Sequence, residues 1–237
     1  MLNNKYEILN YISSGNYGKI YKASCDNKFF ALKESVNIDE LKHEAIIYKE
    51  LLHVKNIAKF FDFFIENNKY YLVLEFYNKT LYSHKEKNFF SVNYYLQLIN
   101  ILKTLFYTLS HIHNNNYLHR DLKPLNICLD DYNNPIIIDF GLSKKYLDRN
   151  KHINIKPIKG IIGSHAFCSI NVEKLLEPSR RDDLESLFYI FIYCLISKND
   201  EQKLLKIKHD LSIIKTNNFI INNDCYNIIE QIHGYIR

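Results

Sequence analysis

The sequence lacks the features that mark secreted and membrane proteins. Its five cysteines lie far apart and form no CxxC pair, so no disulfide framework is indicated and a reducing compartment is favoured. The opening residues, MLNNKYEILN, lack the basic and then apolar order of a secretory signal. The most apolar run, residues 187–196, is about half of the ~20 residues that a bilayer span needs, so it predicts a buried helix.

A strong charge of either sign is also missing. The chain has 31 Lys and Arg against 26 Asp and Glu, and the net charge of +5 suits anionic ligands but is too small to indicate nucleic acid. Tryptophan is absent, and the sequence shows no internal repeat and no low-complexity tail. What is present is 47% hydrophobic and 14% aromatic residues, enough for a sizeable core, in 237 residues that fit one large domain or two small lobes.

The first third of the chain alternates as β-strands do. YEILNYI and KIYKAS flank a polar turn that contains glycine, and KFFALKES predicts a third strand. Residues 39–54 have apolar side chains at helical spacing, with Asp39 as the predicted N-cap. Residues 58–76 predict a hairpin with ENNK as its turn. The predicted order is three strands, one helix and two strands.

The rest of the chain is mostly helical. Residues 92–116 predict a long amphipathic helix, followed by short strands around 125–129 and 135–138 and a basic, loop-rich stretch at 143–162. Further helices are predicted at 182–197, 200–214 and 223–236. We therefore predict a single α+β domain of two lobes, with a β-rich N-lobe at 1–74, a hinge at 75–79 and a mostly α-helical C-lobe at 80–237.

Polar residues whose side chains could act in catalysis or metal binding cluster in YLHRDLKPLNICLDD, residues 117–131. Asp121 could accept a proton from a substrate hydroxyl, and Lys123 could neutralise a transferring phosphoryl group. The Asn126 amide oxygen is a hard ligand that suits Mg²⁺. Asp139 follows three consecutive isoleucines and would offer a second metal contact at the end of a buried strand.

Two further features lie upstream. Gly15 and Gly18 separate two predicted strands, and glycine lets backbone N–H groups approach phosphates closely. Lys33 lies on a predicted strand and Glu44 on the next helix, so a carboxylate could hold an ammonium group that faces phosphate oxygens. Together with a base and metal ligands, these are the parts that phosphoryl transfer requires.

Each feature also has a structural interpretation. Asp and Asn are common in turns, two glycines suit any hairpin, and Lys33 with Glu44 could form an ordinary surface ion pair. The basic stretch at 143–162 is either a solvated face or a docking surface for acidic or phosphorylated substrates. The occurrence of all the residues in one order favours the catalytic interpretation.

These motifs, in this order, resemble those of the eukaryotic protein kinases. The resemblance extends from about Tyr6 to Leu195. HRDLKPLN resembles the catalytic loop, IIIDFG the metal-binding segment, FALK the phosphate-lysine strand and ISSGNYGKI the glycine loop. Within kinases the chain is similar to the casein kinase 1 family through IIDFGLSKKY and GSHAFCSINVEKLLEPSRRDDLESLFYI. Ser169-Ile170-Asn171 stands where most kinases have Ala-Pro-Glu, as in that family.

The resemblance implies roles for individual residues. Asp121 would be the catalytic base and Lys123 would contact the transferred phosphate, as in serine/threonine kinases, while Asn126 and Asp139 would bind Mg²⁺. Asp183 would anchor the catalytic loop. The implied ATP-binding residues are the glycine-loop residues Ile12, Ser13, Ser14, Gly15, Asn16, Tyr17, Gly18, Lys19 and Ile20, the pair Lys33 and Glu44, the gatekeeper Leu74, and the hinge residues Glu75, Phe76 and Tyr77.

The sequence departs from the family at several positions. Ser13 replaces a glycine and is expected to stiffen the turn, and Leu125 replaces a residue that is usually polar. Phe188 stands where glycine is usual, so its neighbours are expected to absorb its bulk. Ala166 replaces an arginine that binds phosphate on primed substrates, and the C-lobe is expected to be shortened because the family's lobe continues beyond Arg237.

The resemblance therefore predicts an ATP- and Mg²⁺-dependent serine/threonine protein kinase. We expect acidic protein substrates, no membrane or direct nucleic-acid partner, a monomer, and a cytoplasmic location with the nucleus as a further site. One alternative is a pseudokinase that serves as a nucleotide-binding or scaffold module. A small-molecule or lipid kinase is a second alternative, against which the segments GSHAFCSIN and SRRDDLES argue because they belong to protein-substrate recognition in the family.

Overall fold

The computed structural model describes residues 1–15, 18–88, 91–148, 151–196 and 201–216. The strands are β1 (Glu7–Gly15), β2 (Gly18–Cys25), β3 (Lys28–Ser35), β4 (Phe60–Glu66), β5 (Lys69–Glu75), β6 (Lys79–Thr80), β7 (Tyr117–Leu118), β8 (Ile127–Leu129), β9 (Pro135–Ile137), β10 (Lys144–Lys145), β11 (Leu147–Asp148) and β12 (Lys151–His152). The helices are α1 (Ile38–Glu50), α2 (Leu81–Asn88), α3 (Val92–Asn114), α4 (Ile170–Glu173), α5 (Arg180–Leu195) and α6 (Glu201–Thr216), with one 3₁₀ turn at Pro124–Asn126.

The first lobe is an antiparallel sheet in the order β1-β2-β3-β5-β4. Alternate residues of its strands face opposite sides, as the period of two in a pleated strand requires. Tyr71 and Val73 of β5 join a small cluster with Tyr6, whereas Leu72 and Leu74 join the main core. The sheet is therefore covered on both faces. Its five strands and one helix follow each other in the predicted order.

The hairpin between β4 and β5 follows the predicted ENNK turn. Asn67 and Asn68 have φ values of 50° and 58°, the left-handed backbone that both central residues of a tight two-residue hairpin adopt. Asparagine tolerates this conformation better than most residues do, so the prediction is confirmed for a local reason.

Helix α1 begins slightly earlier than predicted, at Ile38, and its N-cap is Asn37 rather than Asp39. Asn37 has extended backbone and its side-chain oxygen accepts a hydrogen bond from Asp39 N at 3.1 Å. Asp39 lies inside the first turn, where its charge is favourable at the positive end of the helix. The predicted cap is wrong because the sequence offers two possible capping residues, Asn37 and Asp39, only two positions apart.

The second lobe is built around α3, whose apolar face follows the predicted amphipathic spacing. Its fully buried residues include Leu98, Ile101, Leu105, Leu109 and Ile112. Helix α2 was not predicted, because its sequence LYSHKEKN is mostly polar. The strand pair β8–β9 confirms the short strands predicted near 125–129 and 135–138.

Helix α5 confirms the predicted buried helix at 187–196, although it begins earlier, at Arg180. Ser179 N donates to Asp182 Oδ2 at 2.6 Å, which fixes the start of the helix. Helix α6 (Glu201–Thr216) confirms the helix predicted at 200–214, and the helix predicted at 223–236 lies outside the described residues. No helix in the described ranges combines the length and apolar character needed to cross a bilayer.

Two of the consequences that we expected where the sequence departs from the family are wrong. Phe188 is 43% exposed because it lies on the outer side of α5, opposite the buried residues Leu187 and Ile190, so no neighbour has to absorb its bulk. Ser13 lies inside β1, opposite Ile20, rather than in the turn, so its side chain does not stiffen the turn.

Candidate active site

Strand β3 and helix α1 bring the first group of predicted residues together. Lys33 lies inside β3, and its Nζ is 2.7 Å from Glu44 Oε2 and 2.8 Å from Asp139 Oδ1. The Lys33 side chain is 10% exposed and that of Glu44 is 2% exposed. A surface ion pair is therefore excluded for Lys33 and Glu44. The partly exposed Asp139 joins them in one cluster, although up to 106 positions separate the three residues.

The charges of Lys33 and Asp139 stabilise each other, whereas burial, together with the Asp139 charge, raises the pKa of Glu44 above its ordinary value despite the nearby Lys33. Burial alone would lower the pKa of Lys33, but the carboxylates of Glu44 and Asp139 raise it above its ordinary value. Burial would likewise raise the pKa of Asp139, and the charge and hydrogen bond of Lys33 lower it. The cluster therefore holds a permanent ammonium beside an ionised carboxylate, which is the electrostatic arrangement that phosphate and metal binding require.

Asp121 is the centre of a second cluster. Its Oδ1 accepts hydrogen bonds from Ser164 N and Ser164 Oγ, both at 2.9 Å. Its Oδ2 accepts from Lys123 Nζ at 2.8 Å and from Asn126 Nδ2 at 3.0 Å. Lys123 Nζ also donates to Ser164 Oγ at 2.9 Å. Four donors hold the buried carboxylate in one orientation, so its position is set before any substrate binds.

The two predicted metal ligands lie at the same end of the β8–β9 pair. Ile127 is opposite Ile137, and Ile138 N donates to the Asn126 backbone oxygen at 3.0 Å, so Asn126 precedes β8 where Asp139 follows β9. Since the Asn126 amide nitrogen bonds to the catalytic loop, its amide oxygen faces away from that bond. One carboxylate and one amide oxygen fit Mg²⁺, which completes its shell with phosphate and water oxygens.

Strained backbone lies on both sides of this site. Arg120 and Asp139 both have φ of 67°, left-handed backbone that costs a residue with a side chain about 1–2 kcal/mol. Asp183 accepts hydrogen bonds from His119 N and Arg120 N at 2.8 and 2.9 Å. Tyr48 OH accepts a hydrogen bond from Asp139 N at 3.0 Å. Side chains from α5 and α1 therefore hold the loops in these conformations.

Gly163 allows the loop before α4 to approach the catalytic loop closely. It has φ of 80°, and a Cβ there would lie 2.4 Å from the backbone oxygen of Arg120. Any larger residue would push Ser164 away from Asp121, so the glycine is needed for the hydrogen bonds that Ser164 makes.

The glycine loop is the hairpin between β1 and β2. Gly15 pairs with Gly18, Ser14 with Lys19 and Ser13 with Ile20, while Asn16 and Tyr17 at the tip lie outside the described residues. Ile12 lies in β1 at a register shift. Ile20 is opposite Lys33 on β3, which joins the hairpin directly to the lysine cluster. Gly18 has φ of 121°, and a Cβ there would lie 1.8 Å from the Glu34 backbone oxygen, so only glycine fits.

The predicted gatekeeper and hinge lie at the end of β5 and directly after it. Leu74 is buried and pairs with Ala31 of β3, and Glu75 ends the strand. Tyr77 OH donates to Glu75 Oε2 at 2.7 Å, and burial together with this carboxylate raises the pKa of the phenol, which keeps its proton. Residues 76–78 then connect the first lobe to β6 in the second.

Comparison with known proteins agrees with this geometry. A model of the protein kinase domain family matches residues 6–172. The chain belongs to the protein kinase family. A protein named probable casein kinase I homolog, from Encephalitozoon cuniculi (strain GB-M1), is 31% identical over 251 residues, which cover 97% of this chain and 74% of the relative. The kinase is thus similar to casein kinase I, and the predicted two-lobed kinase fold is confirmed.

Several residues of the kinase site were missed from the sequence. Ser164 bonds to the predicted base, Tyr48 holds the Asp139 backbone, and His113 Nε2 lies 2.8 Å from Asp183 Oδ2. The segment around Ser164 was noticed only for its family resemblance, and Tyr48 and His113 look like ordinary helix residues. Their roles come from contacts between distant elements, for which the local sequence carries no signal.

The loop between β9 and α4 of the kinase is held by internal ion pairs. Glu177 is buried, and its Oε1 lies 2.7 Å from Lys144 Nζ and 3.7 Å from Arg120 Nη1. Arg120 Nε also donates to the Leu142 backbone oxygen at 2.6 Å. The arginine beside the predicted catalytic base therefore already faces a carboxylate of the chain itself.

Proposed function

We propose that this kinase is an active serine/threonine kinase that transfers the γ-phosphate of ATP to protein substrates. The observation that supports this best is the Asp121 carboxylate, which Lys123, Asn126 and Ser164 hold at the centre of the site. A preorganised base with a lysine beside it is suited to a neutral hydroxyl acceptor. The intact Lys33–Glu44–Asp139 cluster argues against the pseudokinase alternative.

The residues of the chain have separate tasks in the proposed reaction. Asp121 accepts the proton of the Ser or Thr hydroxyl while the hydroxyl oxygen forms a bond to the γ-phosphorus and the bond to the leaving ADP oxygen breaks. Lys123 offsets the negative charge on the transferred group, and Lys33 holds the phosphates of the nucleotide. When bound at Asn126 and Asp139, Mg²⁺ supplies positive charge that neutralises phosphate oxygens.

We propose acidic, unprimed protein substrates. Ala166 offers no donor to a substrate phosphate, and His165 Nε2 next to it lies 3.4 Å from Glu173 Oε1, so a carboxylate of the chain already occupies its surroundings. Exposed lysines such as Lys156 and Lys159 supply diffuse positive charge that attracts acidic sequence.

We further propose that the kinase is a cytoplasmic monomer that also enters the nucleus. The four cysteines in the described part of the chain are unpaired thiols, as in a reducing compartment. Fluorescence microscopy of a tagged chain and sedimentation of the purified protein test this proposal. Retention in the secretory pathway or a stable dimer would contradict it.

The decisive experiment measures phosphate transfer from labelled ATP to casein in the presence of Mg²⁺. Asp121→Asn, Asp139→Asn and Lys33→Met should each reduce transfer by at least about a hundredfold, because each removes a group that acts on the reacting phosphate. Lys28→Met, an exposed lysine on the same strand, is the matched control and should be fully active.

The fold of every variant is checked by circular dichroism. Lys33→Met leaves the buried Glu44 without its ammonium partner, so some loss of stability is expected there, whereas Asp139→Asn keeps the shape of the side chain. If folded wild-type protein transfers no phosphate but binds nucleotide, the pseudokinase alternative replaces this proposal. Phosphoamino-acid analysis separates Ser and Thr from Tyr acceptors.

A further inference from the structure

A cavity of about 330 Å³ opens beside the catalytic loop, between that loop, the segment before α4 and helix α6. Its apolar lining consists of Tyr82, Pro124, Leu125, Ala166, Phe167 and Leu205. We propose that this cavity binds an apolar side chain of the protein substrate, within a few residues of the acceptor Ser or Thr. The inference rests on the proposed function and adds a substrate class to it.

The size and lining of the cavity fit an apolar side chain. An apolar cavity of roughly 150 Å³ is enough to hold a benzene ring, so about 330 Å³ accommodates leucine or phenylalanine with part of its backbone. Leu125 is 52% exposed, although it lies between the buried residues Pro124 and Asn126. An apolar side chain that remains in water next to a catalytic loop gains from contact with an apolar ligand.

The cavity is continuous with the catalytic centre. Lys123 and Ser164 both line it, and both bond to the Asp121 carboxylate, at 2.8 and 2.9 Å. An extended peptide advances about 3.3–3.6 Å per residue. A substrate whose hydroxyl reaches Asp121 therefore carries its neighbouring side chains past Lys123 and Ser164 into the cavity, whereas a distant docking segment would have no reason to lie there.

Two walls of the cavity are fixed to each other by a buried lysine. Lys208 of α6 is 1% exposed, and its Nζ donates to the His165 backbone oxygen at 2.8 Å and lies 2.7 Å from Glu173 Oε1. Helix α6, which contributes Glu201 and Leu205 to the lining, is therefore attached to the segment that contributes Ala166 and Phe167. The cavity exists before the substrate binds, so little ordering is needed to occupy it.

The test compares peptides that carry Leu, Ala, Asp or Lys at each of three positions on either side of one serine. At one position the leucine peptide should exceed the alanine peptide by about tenfold in kcat/KM, as expected for burial of one aliphatic side chain. A parallel series with alanine in place of the serine is titrated with the kinase by fluorescence anisotropy, so binding is measured without any transfer. The same leucine position should bind about tenfold more tightly.

Two variants assign the preference to the cavity. Leu125→Asp should abolish the preference for leucine and favour lysine at that position, and Ala166→Leu should abolish it by filling the space. Each variant is judged by its own ratio of kcat/KM for the leucine and alanine peptides, so a change in overall turnover does not affect the comparison. Leu96→Asp, at a leucine of α3 that is also largely exposed, is the control and should keep the preference for leucine.

The outcomes separate the two proposals. Leucine-selective binding without phosphate transfer overturns the proposed function and leaves the cavity assignment intact. Equal binding of leucine and alanine peptides at every position overturns the cavity assignment, whatever the transfer assay shows. A concentration-dependent dimer that Leu125→Asp disrupts, with no peptide preference, would assign the cavity to a second copy of the chain and also overturn it.

Discussion

At the scale of single residues, left-handed backbone occurs at two unusual positions, one beside the candidate active site and one with no link to it. In the described part of the chain, Arg120 and Leu175 are the only residues with positive φ that are not Gly, Asn or Asp. At Arg120 the conformation is held by the Asp183 carboxylate and aims the catalytic loop. Leu175 follows the short helix α4 with φ of 58°, and no catalytic group depends on it.

Leu175→Gly should therefore stabilise the kinase. Leu175 N donates to the Val172 oxygen and Leu176 N to the Asn171 oxygen, the hydrogen-bond pattern of a helix end that favours glycine at this position. Removing the side chain relieves about 1–2 kcal/mol of backbone strain and loses part of an apolar contact. We expect the free energy of unfolding in urea to rise by about 0.5–1 kcal/mol. Leu175→Ala loses the same contact but keeps its Cβ, and a rise as large as that of glycine would contradict the explanation.

Asp183 should contribute stability that depends on pH. Burial raises its pKa, but the hydrogen bond and charge of His113 and the Arg120 N–H lower it below the ordinary value of 3.8. Because the folded-state pKa lies below the unfolded value, the contribution is complete above about pH 4 and is lost as the pH falls through the folded-state pKa.

Asp183→Asn should lower the free energy of unfolding by about 3 kcal/mol at pH 7, because an amide cannot accept all of the buried hydrogen bonds. The difference from the wild type should shrink at pH 3. Urea denaturation at the two pH values measures both quantities, with the exposed Asp148→Asn as control. A difference that does not change with pH would show that the charge of Asp183 is not responsible.

At the scale of elements, the loop between β9 and α4 pairs with a carboxylate that follows α4, that of Glu177. Many switch segments become ordered when a phosphate pairs with arginine. In this kinase the Glu177 carboxylate lies 2.7 Å from Lys144 and 3.7 Å from Arg120, inside the folded chain. Arg120 and Lys144, which could pair with an added phosphate, therefore already face a carboxylate of the chain.

Bacterially produced, phosphatase-treated kinase should therefore be active without an upstream kinase. Glu177→Gln should lower kcat by roughly tenfold and leave KM for ATP unchanged, since it releases Arg120 without touching the nucleotide site. Glu50→Gln, which breaks the more exposed pair with Lys145, is the control and should have wild-type kcat. If activity appears only after phosphorylation, Glu177 does not act as the internal counter-charge.

At the scale of the whole molecule, we expect the weak excess of positive charge to influence substrate choice. A net charge of +5 attracts acidic sequences only diffusely, and such attraction is screened over about 8 Å at physiological salt. A specific phosphate pocket would need a bidentate donor, and Ala166 supplies none. Its neighbour His165 lies near Glu173, which also pairs with the buried Lys208.

Primed and unprimed peptides should therefore differ by less than about tenfold in kcat/KM, and the preference for acidic sequence should fade as salt is raised. Matched peptides with Ser, Asp or phosphoserine upstream of the acceptor, assayed at two ionic strengths, measure both effects. Ala166→Arg is the informative variant and should increase the preference for phosphoserine. A hundredfold preference in the wild type at physiological salt would mean that other residues form a phosphate pocket.

The sequence by itself determined the order of the longer elements and the identity of the candidate reacting groups. Alternation in β3 and β5, the apolar stripe of α3 and the Asn-Asn turn depend on neighbours a few positions away, so local patterns predict them. The catalytic and metal-binding candidates were recognisable because HRDLKPLN and IIIDFG each keep several polar residues within a short stretch. Even so, two possible capping residues two positions apart made Asp39 look like the cap that Asn37 provides.

Only the tertiary structure decided which distant residues meet. The Lys33–Asp139 ion pair joins residues 106 positions apart, and the bond of Asp183 to the Arg120 backbone spans 63. The tertiary structure also decided that Phe188 lies on the exposed side of α5. It likewise decided that Lys208 attaches α6 to the segment that lines the cavity. These features depend on how the faces of separate helices and loops pack, and packing is settled by burial over the whole chain rather than by the residues next to each position.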